Sequence, residues 1–271
     1  MPFDHHGALT LVTGASSGIG AEFARQLAAR GSDLVLVARR EARLTTLAAE
    51  LSATHAVTVT VLACDLGEAG AAARLADRLS ARGLRLTGLV NNAGFGTHAP
   101  FDQEDPDRLR AEIALDVHAV VELTRTFIDD LRASEHGLLI NVASMAAYTP
   151  VPRMAVYGAA KAFVLSFTEA LWYEHRGTGL RVLALSPSAT ETEFFDTAGA
   201  AAASGIRRLQ TPGEVVRTAL RALDRCNPPP SIAVGRLNRL AVSLNRLAGR
   251  KQSVLMMGAL TARAADTAGA R

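Results

Sequence analysis

Short apolar runs alternate with longer amphipathic stretches along most of this chain, and this alternation limits the possible folds more than any other feature. Several runs are continuously apolar, as in strands buried on both faces of a sheet. The predicted strands are Ala8–Thr13, Asp33–Ala38, Val57–Ala63, Thr87–Asn91, Leu138–Val142, Leu180–Leu185 and Ser231–Val234. The predicted helices lie near 18–30, 41–53, 68–82, 106–133, 154–176 and 212–225. The order predicts a doubly wound α/β fold, with a parallel sheet and helices on both faces.

The composition is that of a globular protein. The 271 residues are 49% hydrophobic, 20% charged and 5% aromatic, which excludes disordered, collagen-like and disulfide-stapled classes. There is no apolar run of about 18 residues, so no membrane span is expected. The first residues lack a basic segment followed by an apolar one, so no secretory signal is expected either. Cys64 and Cys226 form no disulfide framework, and a cytoplasmic location is predicted.

A glycine-rich turn directly follows the first predicted strand. Residues 13–20 read T-G-A-S-S-G-I-G and open the first helix. Such a turn brings backbone N–H groups and a helix N-terminus to a pyrophosphate. The spacing G-x-x-x-G-x-G differs from the usual dinucleotide fingerprint, and a tight turn without a ligand is the alternative. Its position favours a nucleotide site formed by Gly14, Ser16, Ser17, Gly18, Ile19 and Gly20.

The second predicted strand ends in two arginines, Arg39 and Arg40. NAD-specific sites place an acidic residue there to bind the ribose 2′-hydroxyl. Two guanidinium groups can instead hold a 2′-phosphate through paired hydrogen bonds. The alternative is a solvated helix start, because arginine is the usual basic residue of this chain. The pattern favours NADP(H) as cofactor, with NAD(H) less favoured.

Tyr157 and Lys161 stand four residues apart on a predicted helix, so their side chains share one face. A free tyrosine has a pKa of about 10, and a neighbouring ammonium lowers it by stabilising the phenolate. Ser144, after the fifth predicted strand, offers a hydroxyl that can hold a carbonyl oxygen beside the tyrosine. The chain has only two lysines and three tyrosines, which argues against the alternative of a chance surface contact between them.

Together with Asn91-Asn92-Ala93-Gly94, these motifs resemble the short-chain dehydrogenase/reductase family over about residues 8–235. The resemblance implies a single Rossmann-type domain with a seven-stranded sheet, assembled as a homodimer or homotetramer. It also implies an oxidoreductase that transfers hydride between a nicotinamide and a small carbonyl or alcohol substrate. A nucleotide-binding regulator or scaffold of the same fold, without turnover, is the alternative function.

The resemblance also assigns roles to residues. It makes Tyr157 the general acid/base, Ser144 the group that positions the carbonyl, and Lys161 the ligand of the nicotinamide ribose that lowers the tyrosine pKa. Asp65 is carried to the adenine amine and Asn91 to the adenosine region. The remaining implied cofactor contacts are Leu66, Ala93, Gly94, Pro187 and Thr192.

Two positions depart from the family pattern. Asp116 stands where the family has a catalytic asparagine that holds a helix irregularity, and we group it with the predicted catalytic residues. Its charge near Lys161 would partly cancel the effect of the lysine on Tyr157, which predicts an active enzyme with a shifted pH optimum. Ser188 stands where the family has glycine after Pro187.

Two segments lie outside the alternation. The stretch 198–205, rich in small residues, is either a lid or a poorly ordered loop. Residues 225–271 contain eight basic residues and one acidic residue, and Leu237, Leu240, Leu244 and Leu247 repeat at helical spacing. We predict a catalytic domain at 1–235 and a basic amphipathic helical extension at 236–271, packed on the domain or on a partner. Contact with a membrane surface is less favoured, and neither nucleic-acid nor metal binding is expected.

Overall fold

A computed structural model describes residues 5–198, 209–245 and 249–269. Its sheet has seven parallel strands in the order β3-β2-β1-β4-β5-β6-β7. The strands are β1 (Leu9–Thr13), β2 (Asp33–Ala38), β3 (Val59–Ala63), β4 (Gly88–Asn91), β5 (Leu138–Val142), β6 (Arg181–Ser186) and β7 (Ser231–Ala233). The predicted fold class is confirmed, and each predicted strand is present to within two residues at either end.

The six helices predicted between the strands are present, with the fourth divided in two, and α7 (Phe194–Ala198) is a further short helix that the periodicity does not predict. The other helices are α1 (Gly18–Ala28), α2 (Glu41–Thr54), α3 (Ala71–Ser80), α4 (Pro106–Ile113), α5 (Ala119–Ala133), α6 (Ala155–Glu174), α8 (Pro212–Leu223), α9 (Arg236–Asn245) and α10 (Arg250–Gly269). Within the part of the chain that the structure describes, no helix is both long and apolar enough to span a membrane.

The predicted helix over 106–133 is interrupted by one wider turn. Between α4 and α5 lies a π-helical segment, Ala114–His118, where the Ala119 N–H bonds to the Ala114 carbonyl five residues back. A single π turn inside a helix often marks a functional site, because it offsets the side chains that follow it. Asp116 lies in the middle of this segment.

Both faces of the sheet are buried by helices. On one face α1, α2 and α8 pack side chains such as Phe23, Leu44 and Val215 against the strands. On the other face α3 and α5 contribute Leu75 and Phe127. The strand order reverses between β1 and β4, and ligands of such sheets bind at the carboxyl ends of the strands on either side of the reversal. The glycine turn after β1 and residues 92–94 after β4 meet at this crevice.

The C-terminal extension contacts the rest of the chain through one side of α9 and through part of α10. Asn245 Nδ2 donates to the Tyr148 carbonyl and to Thr149 Oγ1, both at 2.9 Å. Ser253 Oγ in α10 donates to Asn245 Oδ1 at 2.8 Å. Asn245 therefore joins α9, α10 and the segment after β5.

The predicted leucine face points the other way. Leu237, Leu240 and Leu244 are 81%, 56% and 57% exposed, so the leucine face is not the side of α9 that contacts the domain. Leu247 lies outside the described residues, as does most of the small-residue stretch at 198–205. Contact of the leucine face with a partner subunit or a membrane surface remains a prediction.

Candidate active site

A cavity of about 900 Å³ opens at the carboxyl ends of the strands. It is lined by most of the site residues that the sequence predicts: Gly14, Ser16, Ser17, Gly18, Ile19, Arg39, Arg40, Asp65, Leu66, Ala93, Gly94, Ser144, Tyr157, Lys161, Pro187 and Thr192. Three predicted residues are not in the cavity lining: Gly20, Asn91 and Asp116.

The glycine turn is shaped by close backbone approaches. Gly14 and Gly18 have φ angles of 65° and 54°, which favour glycine. A Cβ on Gly20 would lie 2.3 Å from the Gly14 carbonyl oxygen, and a Cβ on Gly14 would lie 2.8 Å from Asn92 Nδ2. Gly20 therefore shapes the turn from behind, and Ser16 to Ile19 face the cavity.

Asn91 contributes structure rather than a cavity contact. Its side chain is buried, and Nδ2 donates to Thr124 Oγ1 at 3.1 Å and to Asn141 Oδ1 at 2.9 Å. These bonds tie β4 to β5 and α5. Strand alternation turns the Asn91 side chain away from the cavity, and Asn92 to Gly94 carry the chain to the cavity wall. The contact of Asn91 with the adenosine region stays a prediction.

Arg40 is held by several hydrogen bonds beside the glycine turn. Its Nη2 donates to Ser16 Oγ at 3.0 Å and to Ser17 Oγ at 2.9 Å. Its Nη1 donates to Glu193 Oε2 at 2.7 Å, and Arg43 Nη1 donates to the other oxygen of Glu193 at 2.5 Å. Arg39 Nη1 lies 3.7 Å from Asp65 Oδ2. Both predicted arginines thus stand where β2 ends, next to the turn.

Ser144, Tyr157 and Lys161 form one cluster in the middle of the cavity. Ser144 caps the short helical turn after β5, where its Oγ accepts from the Ala146 N–H at 3.1 Å, and it lines the cavity together with Tyr157. Lys161 lies one turn below Tyr157 on α6, with Nζ 5.7 Å from the tyrosine ring centre. The Lys161 ammonium is buried and donates to the Val142 carbonyl at 3.2 Å.

The pKa of the Tyr157 phenol is raised, whereas the sequence analysis expected Lys161 to lower it. Burial raises the pKa of Tyr157, and although Lys161 and Ser144 lower it, Asp116 and Glu112 raise it further. The expected lowering by Lys161 is present but outweighed, because desolvation penalises the phenolate and two carboxyl groups stand nearby. The tyrosine is therefore protonated at neutral pH and suited to donating a proton.

Asp116 lies behind Lys161 and is fully buried, at 0% exposed. Its Oδ2 is 2.9 Å from Lys161 Nζ, and its Oδ1 accepts from the Phe95 N–H at 3.1 Å. A Cβ on Gly94 would lie 2.8 Å from Oδ1. Burial raises the pKa of Asp116, opposed by the Lys161 ammonium. Asp116 contacts the lysine and is not in the cavity lining, which suits a residue that positions Lys161. Its grouping with the catalytic residues stays a prediction.

A second buried acid, Glu112, was missed by sequence reasoning. It lies one turn before Asp116, is 0% exposed, and its Oε2 accepts from the Thr97 N–H at 3.1 Å and the Thr97 hydroxyl at 3.0 Å. Burial raises its pKa to about 7, with hydrogen bonds from Thr97 opposing and the Asp116 charge adding to the rise. Glu112 occurs in a charged helix, D-R-L-R-A-E, where no local signal separates it from a surface residue.

The end of the cavity beyond Tyr157 is apolar. Phe194 packs against the Tyr157 ring at a centre distance of 5.3 Å. The extension adds residues to this end that the sequence analysis did not name individually, because the helical pattern does not show which side of α9 or α10 faces the cavity. The apolar residues at this end are Phe95, Met145, Met154, Phe194, Phe195, Ala241, Val242, Met256 and Met257.

The residues that the structure describes include no group of three or more His, Cys, Asp or Glu side chains arranged to hold a metal ion. At its centre the cavity presents the Tyr157 phenol, the Lys161 ammonium and the Ser144 hydroxyl, and beside the glycine turn it presents Arg39 and Arg40. That set can bind an anionic nucleotide and move a proton.

Comparisons with known proteins agree with this geometry. The model of a family described as short chain dehydrogenase matches residues 8–203. Sulfoacetaldehyde reductase 2 of Chromohalobacter salexigens is 37% identical over 235 residues, covering 84% of this chain and 92% of that protein. Very-long-chain 3-oxoacyl-CoA reductase of Kluyveromyces lactis is 37% identical over 172 residues, covering 61% of this chain. The match spans only half of that protein, 50% of its length.

Among solved structures, a short-chain dehydrogenase from Sphingobium yanoikuyae in complex with NADPH superposes with a TM-score of 0.78. It is 33% identical, and the match covers 90% of this chain and 94% of that one. The likeness therefore extends beyond the glycine turn to most of the chain.

Proposed function

Because the chain belongs to the short-chain dehydrogenase family, we propose that it is an NADP(H)-dependent oxidoreductase that interconverts a carbonyl compound and its alcohol. The observation that carries the proposal is the cluster of Tyr157, Ser144 and Lys161 in the cavity that the glycine turn also lines. Carbonyl reduction requires three groups from the protein: a proton donor, a hydroxyl that holds the carbonyl oxygen, and a buried cation.

The residues present fit a nicotinamide dinucleotide. The tight approaches at Gly14 and Gly20 leave the backbone of the turn open to a pyrophosphate. Arg39 and Arg40 stand at the end of β2, where the 2′-phosphate of NADP(H) would lie, and this favours NADP(H) over NAD(H). When bound, the cofactor supplies or accepts the hydride at the substrate carbon.

The side chains of the protein supply and stabilise the proton transfer. In the reductive direction the Tyr157 hydroxyl gives its proton to the carbonyl oxygen, leaving a phenolate that later regains a proton from solvent. Ser144 Oγ holds the same oxygen as it gains charge. Lys161, whose pKa is raised by Asp116 and Tyr157 against the effect of burial, stays cationic and stabilises the phenolate. The raised pKa of Tyr157 keeps the phenol protonated at neutral pH, which is the form that reduction requires.

The cavity supports an uncharged, bulky, apolar substrate. Among the described residues that line it, the cationic side chains are Arg39, Arg40 and Lys161. The two arginines stand at the nucleotide end, and Lys161 is paired with Asp116. Among the described lining residues beyond Tyr157, a small sulfonated aldehyde would meet no cationic side chain, whereas aromatic and methionine side chains there can cover an apolar ketone.

NADPH oxidation across a carbonyl panel tests the proposal. The panel contains bulky apolar ketones and small anionic aldehydes, and we expect turnover with the ketones. Tyr157→Phe should lower kcat by about 100-fold or more, because the proton donor is lost. Tyr173→Phe, at an exposed tyrosine on the same helix, is the matched control and should behave as the wild type. Cofactor binding without turnover on the whole panel would favour a regulatory role instead.

Assembly and location belong to the same proposal. We infer a homodimer or homotetramer, the common state of the family, and light scattering in solution measures it. A cytoplasmic location is supported by Cys64 and Cys226, both free thiols in the structure.

A further inference from the structure

Glu193 lies between the proposed nucleotide site and the proposed catalytic group. Its carboxylate accepts one hydrogen bond from Arg40 at 2.7 Å and one from Arg43 at 2.5 Å. It follows β6 in the chain, whereas both arginines follow β2, so the contact crosses the mouth of the cavity. All three side chains are partly exposed, at 42% to 50%.

The neighbours of Glu193 hold it in place on both sides. Thr192 packs against the glycine turn so closely that a Cβ on Gly18 would lie 2.7 Å from its methyl carbon. Phe194 packs on the Tyr157 ring at 5.3 Å. Because Thr192 and Phe194 are both packed, the backbone at Glu193 is held in place. Its side chain is therefore directed at Arg40 and Arg43.

The carboxylate occupies donors that a phosphate would need. Arg40 donates to Ser16, Ser17 and Glu193, and Nη1 is used for Glu193. Phosphate and carboxylate oxygens accept from guanidinium groups in the same forked geometry. The hydrogen bonds from Arg43 and Arg40 lower the pKa of Glu193 to about 2, so the side chain is an anion at every working pH.

We propose that Glu193 is a specificity-determining residue that competes with the 2′-phosphate of NADP(H) for Arg40 and Arg43, and so weakens NADP(H) binding relative to NAD(H). The inference rests on the proposed function, in which Arg40 binds that phosphate. It adds Arg43, which the sequence analysis did not assign, as a second donor that becomes available when Glu193 is released.

Direct binding measurements test the competition. Dissociation constants for NADPH and NADH are measured by cofactor fluorescence titration at fixed ionic strength for the wild type and Glu193→Gln. Removing the charge should tighten NADPH binding by about 2- to 5-fold, the range expected for partly exposed ion pairs, and leave NADH binding within about twofold. Glu191→Gln, an exposed acid two residues earlier, is the matched control and should change neither constant.

A smaller probe separates the phosphate from the rest of the cofactor. Adenosine 2′-monophosphate and adenosine 5′-monophosphate lack the nicotinamide, so they do not reach Phe194 or Tyr157. Glu193→Gln should tighten binding of the 2′ isomer by the same factor as NADPH, and leave the 5′ isomer unchanged. Equal tightening of both isomers, or no tightening of the 2′ isomer, overturns the competition.

The outcomes also distinguish this inference from the proposed function. If the wild type binds NADH as tightly as NADPH, and Arg40→Ala does not weaken NADPH binding, the cofactor assignment fails and the inference fails with it. If Arg40→Ala weakens NADPH binding but Glu193→Gln leaves it unchanged or weaker, the cofactor assignment stands and the competition is wrong. Melting temperatures of the two glutamine variants verify that both are folded.

Discussion

Beside Lys161 this chain places an acid, Asp116, whose carboxylate lies 2.9 Å from the lysine Nζ. The carboxylate raises the pKa of Lys161 and, by its negative charge, also raises the pKa of Tyr157. The family's asparagine at this position would provide the hydrogen bond without the charge. Asp116 thus places a carboxylate directly beside the ammonium of Lys161.

Asp116→Asn should move the pH profile in a defined direction. Removing the charge lowers the pKa of Tyr157, and reduction needs the protonated phenol, so the loss of kcat/KM at high pH should begin at a lower pH. The pH dependence of kcat/KM for carbonyl reduction measures this. Asp129→Asn, at an exposed acid on α5, is the control. Superimposable profiles for Asp116→Asn and the wild type would show that the charge has no effect.

Single residues differ in how visible they are in the sequence. Tyr157 and Lys161 are four residues apart, and their helix spacing alone places them together. Glu193 and Arg40 are 153 residues apart, and neither stands in a pattern that indicates the other. Their contact depends on how far the segment after β6 extends across the cavity, which only the assembled fold determines.

At the scale of elements, the π turn between α4 and α5 links the two buried acids to one segment. Asp116 accepts from the Phe95 N–H and Glu112 from the Thr97 N–H, so the carboxyl groups hold residues 95–97 from below. Gly96, between them, lies against the Tyr157 ring, where a Cβ would be 3.0 Å from a ring carbon. The wider turn therefore helps to position the segment that covers the phenol.

Glu112→Gln should change how stability depends on pH. The folded-state pKa of about 7 is above the ordinary value of 4.5, so between these values the folded state binds the proton and the unfolded state does not. The contribution of Glu112 to stability is thus present at low pH and falls as pH rises through 7, by about 3 kcal/mol in total. Glutamine keeps an acceptor for Thr97 and carries no charge.

Denaturant unfolding at pH 5 and pH 8 measures this difference. The free energy of unfolding of Glu112→Gln relative to the wild type should rise between the two pH values by up to about 3 kcal/mol. Glu122→Gln, at an exposed acid on α5, should show no such rise. A constant difference between variant and wild type would mean that Glu112 is ionised throughout this range.

At the scale of the whole molecule, the cavity is completed by both ends of the chain. The glycine turn comes from residues near the N-terminus, and Ala241, Val242, Met256 and Met257 come from the extension. The basic, leucine-rich pattern of the extension predicts an amphipathic helix, and α9 is that helix. Its orientation depends on Asn245, whose hydrogen bonds to residues 148 and 149 turn the leucine face outward.

Asn245→Ala should therefore affect substrate binding more than chemistry. Losing the bonds to Tyr148, Thr149 and Ser253 loosens the apolar end of the cavity, and KM for bulky ketones should rise by about 3- to 10-fold. The value of kcat should stay within about twofold, because Tyr157 and Lys161 are untouched. Steady-state kinetics measure both constants, with Ser243→Ala on the exposed side of α9 as control. An unchanged KM would mean that the extension does not shape the substrate site.

The sequence by itself determined the fold class, the strand order along the chain, and the residues of the turn and the Tyr157 cluster. These follow from local periodicity and short spacings, which fix backbone geometry within one or two turns. Only the tertiary structure decided the inward burial of Asn91, the contacts of Glu112 and Glu193, and the side of α9 that meets the cavity. Those contacts join residues that are far apart in the chain. They depend on how the helices pack and on which charged side chains are desolvated, and a local sequence pattern specifies neither.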